Sequence, residues 1–292
     1  MLAVTPDRVD AVWLDAAGAA QDYWVVDVAM LSDTAQIDEH TRRRLAQSLQ
    51  PLAERLSGTY SRILVSVPDA AATANVFAFD RLPWRRAAQE KLLRWRLNKQ
   101  RGADLGDASL QWQAFRNGDG VIQVWTTVLA DSWRDAVLGA LADVGIVPAV
   151  LDIEARYLFN WLHRRGHVGG RPGALLNVAE SYFGLMMWDA AGRPAWFRSR
   201  WRQHIARERS LSDTERMVSE LQRMVFAYAG TPQAVPFRNL CLAHAGQEPG
   251  LADALSRQLG VEVILLQNLV RTADTRIVGE RRARTLTMGM GQ

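Results

Sequence analysis

Two stretches of the chain repeat one another, and this repeat constrains the fold more than any other feature of the sequence. Residues 2–18 read LAVTPDRVDAVWLDAAG, and residues 176–192 read LNVAESYFGLMMWDAAG. The two stretches align without a gap at an offset of 174 residues, and both end in the turn Asp-Ala-Ala-Gly. Four common residues are weak evidence alone, so the repeat gains weight only if the segments around each copy also correspond.

Those segments do predict the same order of elements. In the first half, the apolar pattern predicts three strands, a long helix and a fourth strand, at 2–4, 9–14, 23–28, 37–56 and 62–67. In the second half, it predicts three strands, a helix, a strand, a helix and a last strand, at 174–178, 182–188, 195–200, 213–228, 239–243, 250–258 and 261–265. Each half is therefore a three-stranded meander followed by helices and further strands. This α/β arrangement resembles the RNase H-like half of the actin and sugar-kinase superfamily, in which two lobes face each other across a cleft.

An additional block interrupts the first half. Its pattern predicts a strand, a helix, a hairpin turning at Asn117-Gly118 and a second helix, at 73–79, 83–101, 110–116 with 121–128, and 131–144. The first of these helices carries Trp84, Ala88, Leu92 and Trp95 on one face. We therefore predict a first RNase H-like lobe at 1–72 plus 146–168, an inserted β-α-β-β-α subdomain at 73–145, and a second RNase H-like lobe at 169–292.

The order and spacing of several short motifs resemble the PilM family, the actin-like proteins of type IV pilus assembly. The motifs are VPD at 67–69, LPWRR at 82–86, LLRWRL at 92–97, VGIVPAVLDIEA at 144–155, FRSR at 197–200 and PGL at 249–251. The chain is also similar to the cytoplasmic part of GspL, the type II secretion relative. GspL continues into a membrane helix and this sequence shows no candidate span, so PilM is the closer match.

This resemblance implies a scaffold rather than an enzyme. It implies a cytoplasmic protein that is peripheral to the inner membrane through its partner, the cytoplasmic tail of a PilN-like membrane protein. Pilus platform or motor components are further implied partners, and nucleic acid is not. Many members of the family bind ATP in the cleft, so an ATP-binding switch of the same machinery is the alternative.

The phosphate loops of the superfamily are altered in this chain. The usual loop has Asp-Ile-Gly followed by small residues, whose backbone N–H groups approach phosphate closely. Ala3 and Thr5 stand at the Asp and Gly positions of the first loop, and Asn177 and Ala179 stand there in the second. The residues left to contact a nucleotide in a degenerate ATP cleft are Thr5, Asp7, Asn177, Ser181 and Gly246. We expect no ATPase activity, no catalytic residue and no required cofactor, with ATP and Mg²⁺ binding left possible.

Basic residues are concentrated in two places, although the formal net charge is only +4. Residues 81–101 hold eight basic side chains and one acidic one, and a second arginine cluster spans 193–209. Such clusters suit phosphates, anionic lipid or an acidic partner, and they also occur on solvated helix faces. Because tryptophan and arginine dominate binding hot spots, the predicted partner-binding residues are Trp84, Arg85, Arg94 and Trp95.

Other candidate chemistry is sparse. His163 and His167 are four residues apart without a third ligand, so we expect a surface pair and no metal site. Asp152 and Glu154 are interpreted as charges at a helix start rather than as an acid–base pair. The single cysteine, Cys241, lies in an apolar run and is predicted to be buried. No signal peptide and no apolar run of about 18 residues is visible, so we expect a cytoplasmic chain.

Overall fold

The computed structural model describes residues 1–6, 8–14, 20–27, 39–56, 63–102, 105–106, 108–116, 120–205, 212–231, 234–244 and 250–266. The strands within these residues are β1 Leu2–Val4, β2 Arg8–Leu14, β3 Ala20–Asp27, β4 Leu64–Val67, β5 Ala72–Phe79, β6 Leu110–Arg116, β7 Ile122–Leu129, β8 Val150–Ile153, β9 Gly173–Val178, β10 Tyr182–Trp188, β11 Pro194–Trp201, β12 Asn239–His244 and β13 Glu262–Leu265. The helices are α1 Glu39–Leu56, α2 Arg86–Arg101, α3 Asp131–Asp143, α4 Glu154–Arg164, α5 Asp213–Ala229 and α6 Leu251–Leu259.

Two five-stranded sheets have the same topology. The first has the order β3-β2-β1-β4-β8 and the second the order β11-β10-β9-β12-β13. In each sheet the first three strands form an antiparallel meander, and the last two strands add parallel to its first strand. This duplicated arrangement confirms the prediction of an actin-like fold with two RNase H-like halves.

The offset of 174 residues holds at the level of individual hydrogen bonds. The second and third strands of the two meanders begin and end at corresponding residues. Each hairpin has a bulge at the corresponding place, between Trp13 and Leu14 and between Met187 and Trp188. The first turn of each half is closed by the same backbone bond over 2.9 Å, from Thr5 N–H to the Arg8 carbonyl and from Ala179 N–H to the Tyr182 carbonyl.

The inserted block forms a three-stranded antiparallel sheet of order β5-β7-β6, with α2 on one face. Leu93 and Leu97 of α2 are fully buried against apolar residues of the three strands. The helix begins at Arg86, three residues later than predicted, so Trp84 precedes it. The helix α3 packs against α1, and its buried side chains belong to the main core.

The main core is continuous across the two halves of the chain. It contains residues of α1, α3 and α4 together with inward side chains of β9, β10 and β11. Trp133 of α3 stacks on Trp201 of β11 with ring centroids 5.8 Å apart, and Phe159 of α4 lies 6.2 Å from Trp188 of β10. A second core, beneath α5 and α6, covers the other face of the second sheet and includes Met217, whereas buried Cys241 belongs to the main core.

A buried ion pair fastens the small sheet to the first lobe. Arg156 of α4 donates to Asp152 over 2.9 Å and also to the hydroxyl of Thr127 on β7. Its guanidinium lies 4.6 Å from the centre of the Trp125 ring. Burial raises the pKa of Asp152 and lowers the pKa of Arg156, while their mutual attraction opposes both changes. Asp152 lies in β8 and makes this pair, so its interpretation as a helix-start charge is wrong.

We expect Arg156→Met to lower the free energy of unfolding by about 3–5 kcal/mol, because it leaves a buried carboxylate without its partner. The double variant Asp152→Asn/Arg156→Met removes both charges and should recover most of that loss. Urea unfolding followed by circular dichroism measures both. A single variant as stable as the parent would contradict the role given to this pair.

Candidate functional site

The two halves of the chain meet at one buried carboxylate. Asp69 opens a 3-10 turn, Asp69–Ala71, directly after β4, and its side chain is completely inaccessible to solvent. Pro68 precedes it with an extended conformation, which ends the strand and sends the chain toward the second lobe. The turn contacts β10 and β11, so Asp69 is the first residue after β4 to enter the junction between the lobes.

Each oxygen of the Asp69 carboxylate has a fixed donor. Oδ1 accepts from the backbone N–H of Ala155, in the first turn of α4, over 2.7 Å. Oδ2 accepts from the amide of Asn177 on β9 over 2.9 Å. The same Asn177 nitrogen also donates to the carboxylate of Glu154 over 3.2 Å, and the Tyr182 hydroxyl donates to that carboxylate as well. These residues, Asp69, Glu154, Asn177 and Tyr182, are called the junction cluster below.

The backbone of the second lobe is shaped to admit Asp69. A Cβ atom added at Gly184 of β10 would lie closer than 3.0 Å to the Asp69 carboxylate, a separation that real Cβ atoms do not show. Ser199 of β11 donates its hydroxyl to the Asp69 carbonyl over 2.9 Å. The junction is therefore a close approach of two backbones, which is a known reason for glycine inside a strand.

In the junction cluster, one amide group donates to two carboxyl groups, and the site is buried from water. Burial, followed by the nearby charge of Glu154, raises the pKa of Asp69 from 3.8 to about 7. Burial likewise raises the pKa of Tyr182, so its phenol stays protonated and donates. Asp69 has no surface exposed to solvent, so its carboxyl group contacts only the protein.

In the first predicted phosphate loop, the polar side chain forms hydrogen bonds within the turn itself. The hydroxyl of Thr5 donates to the Arg8 carbonyl over 2.9 Å and accepts from the Arg8 N–H over 3.2 Å. Pro6 is buried and has no N–H to offer. Asp7 and Gly246, the other predicted residues of this cleft, lie outside the described residues.

The two residues predicted for the second loop differ in their hydrogen bonding. Asn177 is only 1% exposed and both of its donor bonds go to the junction cluster. Ser181 has a buried hydroxyl for which the described part of the chain supplies no hydrogen-bond partner. Arg202 donates to the Ala179 carbonyl over 3.4 Å.

Three of the four predicted partner-binding residues point outward from the small sheet. Trp84 is 84% exposed and Trp95 is 55% exposed, and the Arg85 guanidinium lies 4.7 Å from the Trp84 ring centre. Arg94 is different, because it pairs with Glu90 and donates to the carbonyls of Gly106 and Ala108. Arg94 therefore holds the loop after α2 in place.

Sequence reasoning missed most of the junction cluster. Asp69 counted only as part of a motif, and Glu154 only as a charge in the first turn of a helix. The available indication was Gly184, a glycine inside an apolar strand that aligns with Asp10 at the offset of 174 residues. A glycine in such a strand indicates a close approach, although not which residue approaches.

The sheet order and the duplication are those of an actin-like fold. Comparison with solved structures agrees. A chain of the PilM-PilN type IV pilus biogenesis complex matches with a TM-score of 0.71 and 16% sequence identity, over 91% of this chain and 87% of that chain. A Bacteroides thetaiotaomicron protein with an actin-like ATPase fold and unknown function matches with a TM-score of 0.55 and 12% identity, over 91% and 90%.

At these identities the likeness concerns the fold. No protein-family model matches the sequence, and no curated protein matches it either. Among the helices that the structure describes, none is both long enough and apolar enough to cross a lipid bilayer.

The junction cluster predicts that stability falls as pH rises. The folded-state carboxyl of Asp69, with its pKa of about 7, keeps a proton that the unfolded-state carboxyl loses near pH 4, so the free energy of unfolding should drop by about 1 kcal/mol per unit between about pH 5 and 7. Asp69→Asn cannot titrate and should flatten this slope, whereas Asp80→Asn, at an exposed carboxylate, should keep it. Urea unfolding across this pH range measures the slopes; equal slopes in parent and Asp69→Asn would contradict the assignment.

Gly184→Ala should destabilise the protein by about 2 kcal/mol, because its Cβ collides with the Asp69 carboxylate. Gly230→Ala is the matched control. Gly230 has an ordinary φ of −80° and its added Cβ would have its nearest neighbour at 3.6 Å. Thermal unfolding should therefore place Gly230→Ala close to the parent, and an unaffected Gly184→Ala would refute the close approach.

Proposed function

We propose that the protein is a scaffold on the cytoplasmic face of an inner membrane, within a type IV pilus or type II secretion-like assembly. It binds the cytoplasmic tail of a PilN-like membrane protein against the inserted subdomain. Pilus platform or motor components are the further partners. The observation that carries this proposal is the fold-level match to the PilM-PilN complex across nine-tenths of the chain, together with an outward aromatic surface on the subdomain.

The residues proposed to contact the tail are Trp84, Arg85 and Trp95. Burial of a large exposed aromatic side chain by a partner contributes strongly to the free energy of binding. Arg94 contributes by supporting the loop that follows α2, through its bonds to Gly106 and Ala108. It is therefore a positioning residue for this surface.

The cleft is proposed to have no ATPase activity and no required cofactor. Support comes from the hydroxyl of Thr5 and the amide of Asn177, which already bond within the protein. The Asn177 amide donates to the carboxyl groups of Asp69 and Glu154, so it is already engaged within the protein. The alternative, an ATP-binding switch, would need Ser181 and the loop around Gly246 to hold the nucleotide.

Titration calorimetry with a synthetic peptide of the tail tests the scaffold. Trp84→Ala/Trp95→Ala should weaken binding by about tenfold or more, as expected for two hot-spot residues. Phe226→Ala is the matched control, because Phe226 is 82% exposed on α5 of the second lobe. No binding of the parent chain at high micromolar peptide would overturn the proposal, and so would an equal loss in the control.

Thermal unfolding in millimolar Mg-ATP tests the cleft separately. Any ligand that binds only the folded state raises its stability by mass action. We expect an unchanged midpoint. A rise of several degrees that disappears in Ser181→Ala would instead establish the nucleotide-binding alternative.

A further inference from the structure

The outward side of α2 combines exposed tryptophans with cations along its whole length. We call this surface the α2 face; its members are Trp84, Arg85, Ala88, Lys91, Trp95, Arg96 and Lys99, all exposed. Within the helix, Ala88, Lys91, Trp95 and Lys99 are three or four residues apart, which keeps them on one side. Trp84 and Arg85 directly precede the helix. The opposite side of the helix is the buried one, carrying Leu93 and Leu97.

The cations of the α2 face are arranged around its aromatic rings. Arg85 lies over Trp84 at 4.7 Å, and Lys99 lies over Trp95 at 5.5 Å. Arg96 also approaches the Trp95 ring, at 5.8 Å from its centre. The helix has one acidic side chain, Glu90, and that carboxylate is paired with Arg94. The face therefore presents positive charge and indole groups together, with little negative charge to offset it.

A phospholipid bilayer with anionic headgroups fits this chemistry best. Indole rings favour the boundary between headgroups and acyl chains, because they have an apolar body and a polar N–H. Lysine and arginine beside them bind anionic headgroups, and long basic side chains extend into that layer. A helix whose other side is buried in its own protein can lie parallel to such a surface, with its tryptophans in the interface layer and without crossing the bilayer.

We propose that the α2 face contacts anionic phospholipid directly, so that the protein associates with the membrane surface through its own side chains. This goes beyond the scaffold function, in which membrane association comes through the tail of a partner. The two contacts are compatible, because a tail that emerges from the bilayer lies within reach of a face resting on it. Lys91, Arg96 and Lys99 are assigned to the lipid contact.

Co-sedimentation of the full chain, without any peptide, with vesicles tests the proposal. We expect binding to vesicles of about 30 mol% phosphatidylglycerol in phosphatidylcholine, weakening steeply with added salt, and little binding to pure phosphatidylcholine. Lys91→Gln/Lys99→Gln should weaken binding about 25-fold, since each lysine near such a surface contributes about a fivefold factor.

Arg223→Gln/Arg257→Gln is the matched control, because it removes the same charge from exposed positions on α5 and α6. This control should bind like the parent, with circular dichroism confirming that both variants are folded.

The proposal is overturned if the parent does not bind anionic vesicles, if both double variants lose binding equally, or if Lys91→Gln/Lys99→Gln binds vesicles normally. If Lys91→Gln/Lys99→Gln binds vesicles normally but no longer binds the tail peptide, the α2 face is a peptide-binding site and not a lipid-binding site. Failure of the peptide titration with vesicle binding intact would refute the scaffold function alone.

Discussion

The hydrogen bond from Asn177 to Asp69 is the contact on which the arrangement of the two lobes depends. A carboxylate removed from water is stable only if its oxygens are satisfied, so burial of Asp69 obliges the surrounding elements to take fixed positions. The first turn of α4 must present the Ala155 N–H, β9 must present the Asn177 amide, and β10 must pass without a side chain at Gly184. The positions of α4, β9 and β10, which come from both halves of the chain, are thereby fixed relative to the turn that contains Asp69.

This junction also uses one of the residues predicted for the nucleotide cleft. Asn177 donates to the carboxyl groups of Asp69 and Glu154 on the opposite lobe. The lobes are also joined by aromatic packing, in which Trp133 meets Trp201 and Phe159 meets Trp188. Polar and apolar contacts thus join the two halves, whereas the exposed tryptophans and cations lie on the α2 face.

The features of the fold that depend on local sequence pattern could be predicted from the sequence. Strand and helix positions follow from apolar periodicity, and the two meanders agree with the repeat because the same alternation builds both. The junction cluster could not be predicted in this way, since Asp69 and Asn177 are 108 residues apart and meet only once the lobes are packed.

The orientation of α2 is a second feature that the sequence alone could not predict. Periodicity placed Trp84, Leu92 and Trp95 together, but it did not say whether that side faces the sheet or solvent. Leu93 and Leu97 pack inward, and this choice depends on the shape of the small sheet rather than on the helix itself.

The continuous core has a consequence for how this protein is made. Residues from β10 and β11 complete the core in which α1, α3 and α4 are buried. During synthesis the ribosome releases α1, α3 and α4 well before Trp201, so the first lobe waits with an unfilled apolar surface until two-thirds of the chain has emerged. We therefore expect nascent chains of this protein to bind chaperones that cover hydrophobic surface, and the two lobes to complete their packing late.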